Sequence, residues 1–375
     1  MKKYLMIVFI ILITTLLTGC WDVAEINERI FVTAIGIDLN EDPNVEGEYL
    51  MTYVYPNIAS IKENSSQKEA KFVKMTVAKS PFYGSRQLTT RLDKPLYFKH
   101  TKVIVIGEDL LKEPDKIKEI FDGLGRDPRI NRKVKIIVAQ GKAKDILSVK
   151  TEQELVIGGY LNSMLQNKKV SARFTEQNFS DLIKDLQISK VSTAPRAVPK
   201  KDEFKLSGAA ILKDYKLIGW LGEMENSFLA LSKGEVVSDI INTYYEDTII
   251  SYIISNNIAN KNVYLDKDNI NVDINIYTEG YLQEYKYEED TNAFDEEFLQ
   301  TVENRLENEI EENLGKIIDM FQNKYRSDAL GIGEHISKFH PRVWKDIGGN
   351  WEEIFPTINI NVNADVKVRR TGLTK

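Results

Sequence analysis

The chain is poor in the side chains that most often carry chemistry. One cysteine, Cys20, stands in 375 residues, so neither an internal disulfide nor a cysteine-based metal site can form. Three histidines occur, His100, His335 and His340. The last two do not have the i, i+4 spacing of a helical zinc pair, and no His-Glu-x-x-His is present. A Gly-x-Ser-x-Gly elbow and a Walker phosphate loop are both missing. Gly331-Ile332-Gly333 is a bare Gly-x-Gly after a helical pattern, the context of a helix end rather than of a dinucleotide site. The carboxylate pairs Glu288-Glu289 and Glu311-Glu312 read as solvated faces. No catalytic set, cofactor site or metal site is therefore expected, and the protein does not read as an enzyme. Basic excess is lacking too. A formal net charge of −6 makes the chain a poor candidate for sequence-independent nucleic-acid binding, which depends on Lys and Arg against phosphates.

Long apolar runs are also scarce: one is present, from Tyr4 to Leu17. It follows Lys2 and Lys3, is short for a membrane-spanning helix, and ends in Leu17-Thr18-Gly19-Cys20. Cations, a short apolar stretch and small residues before a cut describe an export signal. Leu-Thr-Gly-Cys matches the lipobox of bacterial lipoproteins. Residues 1–19 are thus expected to be a removed signal peptide, with cleavage after Gly19. Cys20 is then expected to carry S-diacylglycerol on its thiol and an N-palmitoyl group on its freed amine. At about 0.8 kcal/mol per buried CH2, two or more chains hold a protein on a bilayer. Loss of Lys2 and Lys3 takes the formal charge from −6 to −8, so the lipid rather than charge must do the holding. The remainder should face outward from the cytoplasmic membrane. Trp21, Asp22, Glu25 and Ile26 would lie near the bilayer surface, where Trp is favoured, and would either dock the module on a membrane subunit or its own first domain or serve as a flexible tether.

A hydrophobic fraction of 42% indicates an ordered globular chain. Its pattern suggests a multi-domain α/β (α+β) protein with mixed sheets and packed helices. Phe31–Asp38, Tyr49–Tyr55, Phe72–Ala78, Val103–Ile106 and Val134–Ala139 read as strands. Asn40–Gly47 supplies turn chemistry. Ser80-Pro81 opens a helix as N-cap and first position, and Asp109–Gly123 looks helical. Residues 20–198 would form an N-terminal α/β domain, or domains, helical over about 141–190. Ser192–Lys201, with Pro195, Pro199 and several cations, reads as an interdomain linker.

Residues 199–375 would form a C-terminal α/β domain. Gly208–Leu212 and Tyr215–Trp220 flank Lys213-Asp214 as a hairpin. Ile270–Tyr277 alternates as a half-buried strand. Phe298, Val302, Leu306, Ile310, Leu314, Ile317, Ile318, Phe321 and Tyr325 line one face of a long helix over about 294–325. Packing across its own sheet accounts for that face better than a partner helix does. Glu303, Glu307, Glu311 and Glu312 fall on the opposite face. Ile358, Ile360, Val362, Ala364, Val366 and Val368 close the chain as a strand with one wet face.

The chain also carries an ordered series of family residues. Cys20-Trp21-Asp22, Glu25-Ile26 and Val32 through Ile35-Gly36-Ile37-Asp38 come first. Leu92-Asp93-Lys94, His100 and Val105-Ile106-Gly107-Glu108 follow. Gly208-Ala209-Ala210, Leu217–Leu221, Asp328, Gly331, Gly333, Pro341, Trp344-Lys345, Trp351 and Gly372 complete it. This series resembles the Ger(x)C family, the lipoprotein C subunits of spore germinant receptors. Departures at Val23-Ala24, Lys94, Leu330 and Ile332 bear on subtype. The resemblance implies a three-domain α/β structure of unusual topology. It implies integral-membrane A and B subunits as partners, location at the spore inner membrane, and a role in assembly, clustering or signal coupling during nutrient germination. Two other classes compete: a solute-binding lipoprotein of a transporter, which would have two similar lobes, and a lipid-anchored envelope hydrolase. The sequence offers no convergent polar site for an amino acid or a sugar.

Overall fold

Uninterrupted apolar runs bury both faces of a strand, and in this chain they form the middle of a large sheet. The computed structural model describes residues 28–57, 71–150, 156–245, 248–266, 269–284 and 296–370, with residues 3, 4 and 6. Cys20, Trp21, Asp22, Glu25 and Ile26 lie outside the described residues. The strands in the N-terminal part are β1 (Ile30–Phe31), β2 (Ala34–Leu39), β3 (Tyr49–Pro56), β4 (Lys71–Ala78), β5 (Leu96–Tyr97), β6 (Val103–Gly107), β7 (Lys135–Ala139), β8 (Val191–Pro199), β9 (Phe204–Lys213) and β10 (Lys216–Leu221). The helices among them are α1 (Pro81–Thr89), α2 (Pro114–Arg126), α3 (Ala143–Ser148), α4 (Ile157–Gln166) and α5 (Phe179–Ile188).

Eight of these strands form one mixed sheet in the order β10-β9-β8-β7-β6-β2-β3-β4. Strands β2, β6, β7 and β8 run parallel, and the flanking pairs are antiparallel. Because side chains alternate, Ile104 and Ile106 pack under α2 and α5 on one face. Val103 and Val105 meet α3 and α4 on the other. The expected cap at Ser80 is present: its hydroxyl accepts a hydrogen bond from the Tyr83 amide at 3.3 Å, with Pro81 in the first turn.

The linker reading of Ser192–Lys201 is overturned. All of it up to Pro199 belongs to β8, an inner strand paired with β7 on one side and β9 on the other. Its prolines are tolerated because Pro195 sits at a register shift and Pro199 ends the strand. The expected hairpin joins β9 to β10 one residue later than read, through Asp214 and Tyr215, both at positive φ (47° and 68°) as in a type I′ turn.

The second sheet comprises β11 (Asp239–Tyr245), β12 (Thr248–Asp266), β13 (Asn269–Glu284) and β14 (Asn359–Arg370), in that order, with β13 and β14 parallel. Its helices are α6 (Glu223–Lys233), α7 (Glu296–Asp319), α8 (Ile332–Phe339), α9 (Pro341–Ile347) and α10 (Trp351–Ile354). Helix α7 buries Val302, Leu306, Ile310 and Leu314 against this sheet and continues as a π turn through Tyr325. The two sheets meet along β9: Ala210 and Leu212 join the N-terminal core, and Ala209 and Ile211 the C-terminal one. Glu312 is exposed, as a solvated face requires, but Glu303, Glu307 and Glu311 are not on one. Their carboxylates accept the amides of Val368, Val366 and Ala364 on the edge strand β14.

Candidate functional site

Among the described residues, Asp38, Gly107, Asp328 and Gly333 of the family pattern build the fold. Asp38, at the end of β2, is buried, and its carboxylate accepts the Ala143 amide at 2.7 Å and the Lys144 amide at 3.0 Å. A strand residue thereby caps α3, a helix of distant sequence with no side-chain cap of its own. Burial pushes the Asp38 carboxyl above its ordinary value, although the two amides pull the other way. Gly107 lies directly beneath that carboxylate, where any Cβ would overlap Asp38 Oδ1. Next to it, Glu108 Oε2 accepts the Gly141 amide at 3.2 Å.

The C-terminal motif has the same logic. Asp328 is buried and accepts three N–H groups: Ile332 at 3.1 Å, Gly333 at 2.5 Å and the Trp351 indole at 3.1 Å. One carboxylate thus caps α8 and pins α10 to it. Trp351 packs edge-on to Trp344 at 5.6 Å, and a Cβ on Gly333 would come within 2.6 Å of the Trp351 indole nitrogen. His100 packs edge-on against Phe31, and His335 lies against Phe339. His335 is pushed below its ordinary value by burial and by nearby Lys261.

A site that no local motif signals lies where the two sheets meet. The segment ahead of α5 is stitched to both halves. The Gly208 amide donates to Arg173 O at 2.7 Å, Arg173 Nη2 donates to Ile240 O at 3.1 Å, and Asn226 Nδ2 donates to Ala172 O at 2.9 Å. Beside this seam is a polar cavity of about 500 Å³. Its walls come from α5 and the segment before it, the end of α6, the middle of β12, and the turn leading into α8. Four stretches far apart in sequence converge here, an arrangement that no local pattern reports.

Most of the charges in the cavity are matched. Lys184 pairs with Glu334 at 2.6 Å across the mouth. Glu176 receives Lys135 at 2.5 Å and Lys168 at 2.7 Å. Burial pushes the Glu176 carboxyl up, but the two ammonium groups outweigh it and hold the carboxyl below its ordinary value. Asp185 accepts Ser192 Oγ–H at 2.8 Å and Gln177 Nε2–H at 2.9 Å, and burial still raises it. Lys261 stands apart. It occupies the core-facing side of β12, between Ala259 and Val263, which pack against the C-terminal core. Burial, followed by the proximity of Lys233, pushes its ammonium below its ordinary value.

An α/β scaffold whose motif residues cap helices, with a polar seam between two unlike sheets, defines a non-repeating two-part module. Comparisons with known proteins also find two parts, but the boundary between them falls between β8 and β9 of the larger sheet rather than between the two sheets. Residues 22–197 match the spore germination protein N-terminal domain, and residues 207–372 match the spore germination B3/GerAC-like C-terminal domain. The chain belongs to the Ger(x)C family of spore germination proteins. It is similar to spore germination protein YndF of Bacillus subtilis (strain 168), 25% identical over 98% of this chain and 96% of that one. Spore germination protein B3 of the same organism is 24% identical over 95% of both chains. The crystal structure of the GerBC protein shares the fold, with a TM-score of 0.62 at 20% identity, covering 93% of this chain and all of that one. No helix among the described residues is long and apolar enough to cross a membrane.

Proposed function

We propose that this chain is the lipid-anchored C-type subunit of a spore germinant receptor, held on the outer face of the membrane through Cys20. In this reading it couples or clusters integral-membrane A and B subunits during nutrient germination. The observation that carries the reading is the lipobox, which ends two residues before the family match begins at Asp22 and so leaves no room for another element between anchor and module. The relatives' names place them in spore germination. The fold supports a scaffolding role over a solute-binding one, since its eight- and four-stranded sheets are not two similar lobes. The test is Cys20→Ala. It should abolish labelling by a palmitate analogue and release the protein from membranes, and the membrane subunits should no longer co-purify with it. Label retained on the variant would end the lipoprotein assignment. Intact nutrient germination in a strain lacking this gene and any paralogue would end the receptor assignment.

A further inference from the structure

Lysine on the core-facing side of a strand needs a reason, because its ammonium loses hydration and must find partners. In β12 the residues on either side of Lys261 along that face, Ala259 and Val263, are apolar and packed. Lys261 points instead into the cavity at the seam. Among the described residues, its Nζ has no hydrogen bond or salt bridge, and neither has that of Lys233 at the end of α6. Lys233 is close enough to disfavour the charge on Lys261. The acidic side chains Asp328, Glu235 and Glu334 favour the Lys261 charge from nearby, but none of them forms a hydrogen bond or ion pair with either amine. Glu176 and Glu334 are paired with other lysines, Asp328 is used by three N–H donors, and Asp185 and Asp181 accept from neighbours on and around α5. Glu235 is exposed.

We propose that the cavity is a binding site for a small oxyanion, a carboxylate or a phosphate, bridged by Lys233 and Lys261. A volume of about 500 Å³ admits a small molecule of that class together with water. The walls belong to both sheets, so an occupant neutralises two converging cations and ties the C-terminal sheet to α5. It would therefore stabilise the whole module by mass action. The proposal does not rest on the lipid anchor or on the receptor reading.

The test is thermal unfolding of the full chain in detergent, followed by tryptophan fluorescence. Inorganic phosphate and malonate are titrated separately against chloride at constant ionic strength. A saturable rise of about 2 °C or more is expected with at least one of them. The probe that gives it assigns the oxyanion as phosphate or carboxylate. Lys261→Met removes the unmatched cation and keeps the packing of the stem. It should unfold at a higher temperature in chloride and show no response to either probe. Lys233→Met should lose most of the response, and Lys99→Met, at an exposed position, should keep it. Should Lys261→Met not fold, Lys261→Gln and the phosphorus NMR line width of added phosphate read the same site. An equal rise in the Lys261 and Lys99 variants, or no saturable rise with either probe, would overturn the proposal.

Discussion

Glu307 Oε1 accepts the backbone amide of Val366 at 3.1 Å. The same contact recurs one helical turn away on each side, from Glu303 to Val368 at 2.8 Å and from Glu311 to Ala364 at 2.9 Å. The match is geometric. Four residues of helix rise about 6 Å and two residues of strand about 6.6 Å, so an antiparallel helix can follow alternate edge amides with every fourth side chain. An open strand edge invites pairing with other chains, and α7 covers this one with carboxylates.

Glu307→Ala is expected to destabilise the protein by about 2 kcal/mol, because it removes a charge-assisted acceptor and leaves an edge amide without one. Glu307→Gln, which keeps a carbonyl acceptor, should cost less. Urea unfolding of both variants checks the order. Replacing Glu303, Glu307 and Glu311 together with Ala should also promote self-association, measured by sedimentation.

Asp328→Asn should cost about 3 kcal/mol, since the new amide can accept from one side only and turns N–H groups toward N–H groups. Trp351 loses its partner in the same step, so native-state tryptophan fluorescence should change along with the unfolding midpoint. A variant with unchanged emission and midpoint would mean that the cap is not formed.

Two glycine substitutions should move stability in opposite directions. Gly107→Ala drives a methyl into the Asp38 carboxylate and should destabilise by about 2 kcal/mol. Gly315→Ala lies in the interior of α7 with nothing within 4 Å and should stabilise by about 0.5–1 kcal/mol. Thermal or urea midpoints of the pair decide the matter.

Lys261 sets a pH dependence of known sign. Folding lowers its proton affinity, so between its depressed value and the ordinary 10.5 the unfolded chain binds more protons. Its cost is full at low pH and is relieved as pH rises through that window. The charged groups facing it are Lys233 and Glu235 from the end of α6, and Asp328, Glu334 and His335 from the α8 region. The stability advantage of Lys261→Met over the native chain should therefore shrink as pH rises from neutral toward 10.5. Urea midpoints across that range measure it, and an advantage that stays constant with pH would exclude titration of Lys261 as its source.

Much of the architecture was legible as local pattern. The apolar runs at Val103–Ile106 and Val134–Ala139, the Ser80-Pro81 helix start, the β9–β10 hairpin and the three- and four-residue steps of α7 each report their own periodicity. Local pattern failed where pairing decided the outcome. Prolines and cations made Ser192–Lys201 look like a linker, yet β7 and β9 on either side draw it into the sheet as β8. The glutamates of α7 looked solvated because helix periodicity says which residues share a face, not what covers that face.

The sequence by itself determined the Leu-Thr-Gly-Cys motif at Cys20, the family pattern and the α/β class, because each is written in neighbouring residues. Tertiary structure alone decided why Asp38, Gly107 and Asp328 occupy their places, and that a cavity exists at all. Ala143 lies 105 residues from Asp38 and Trp351 lies 23 from Asp328 along the chain, and the cavity walls come from α5, α6, β12 and the turn before α8. A lysine in the apolar register of β12 was the one local sign of it. That sign acquires meaning only when folding withdraws water from the ammonium and brings Lys233 beside it.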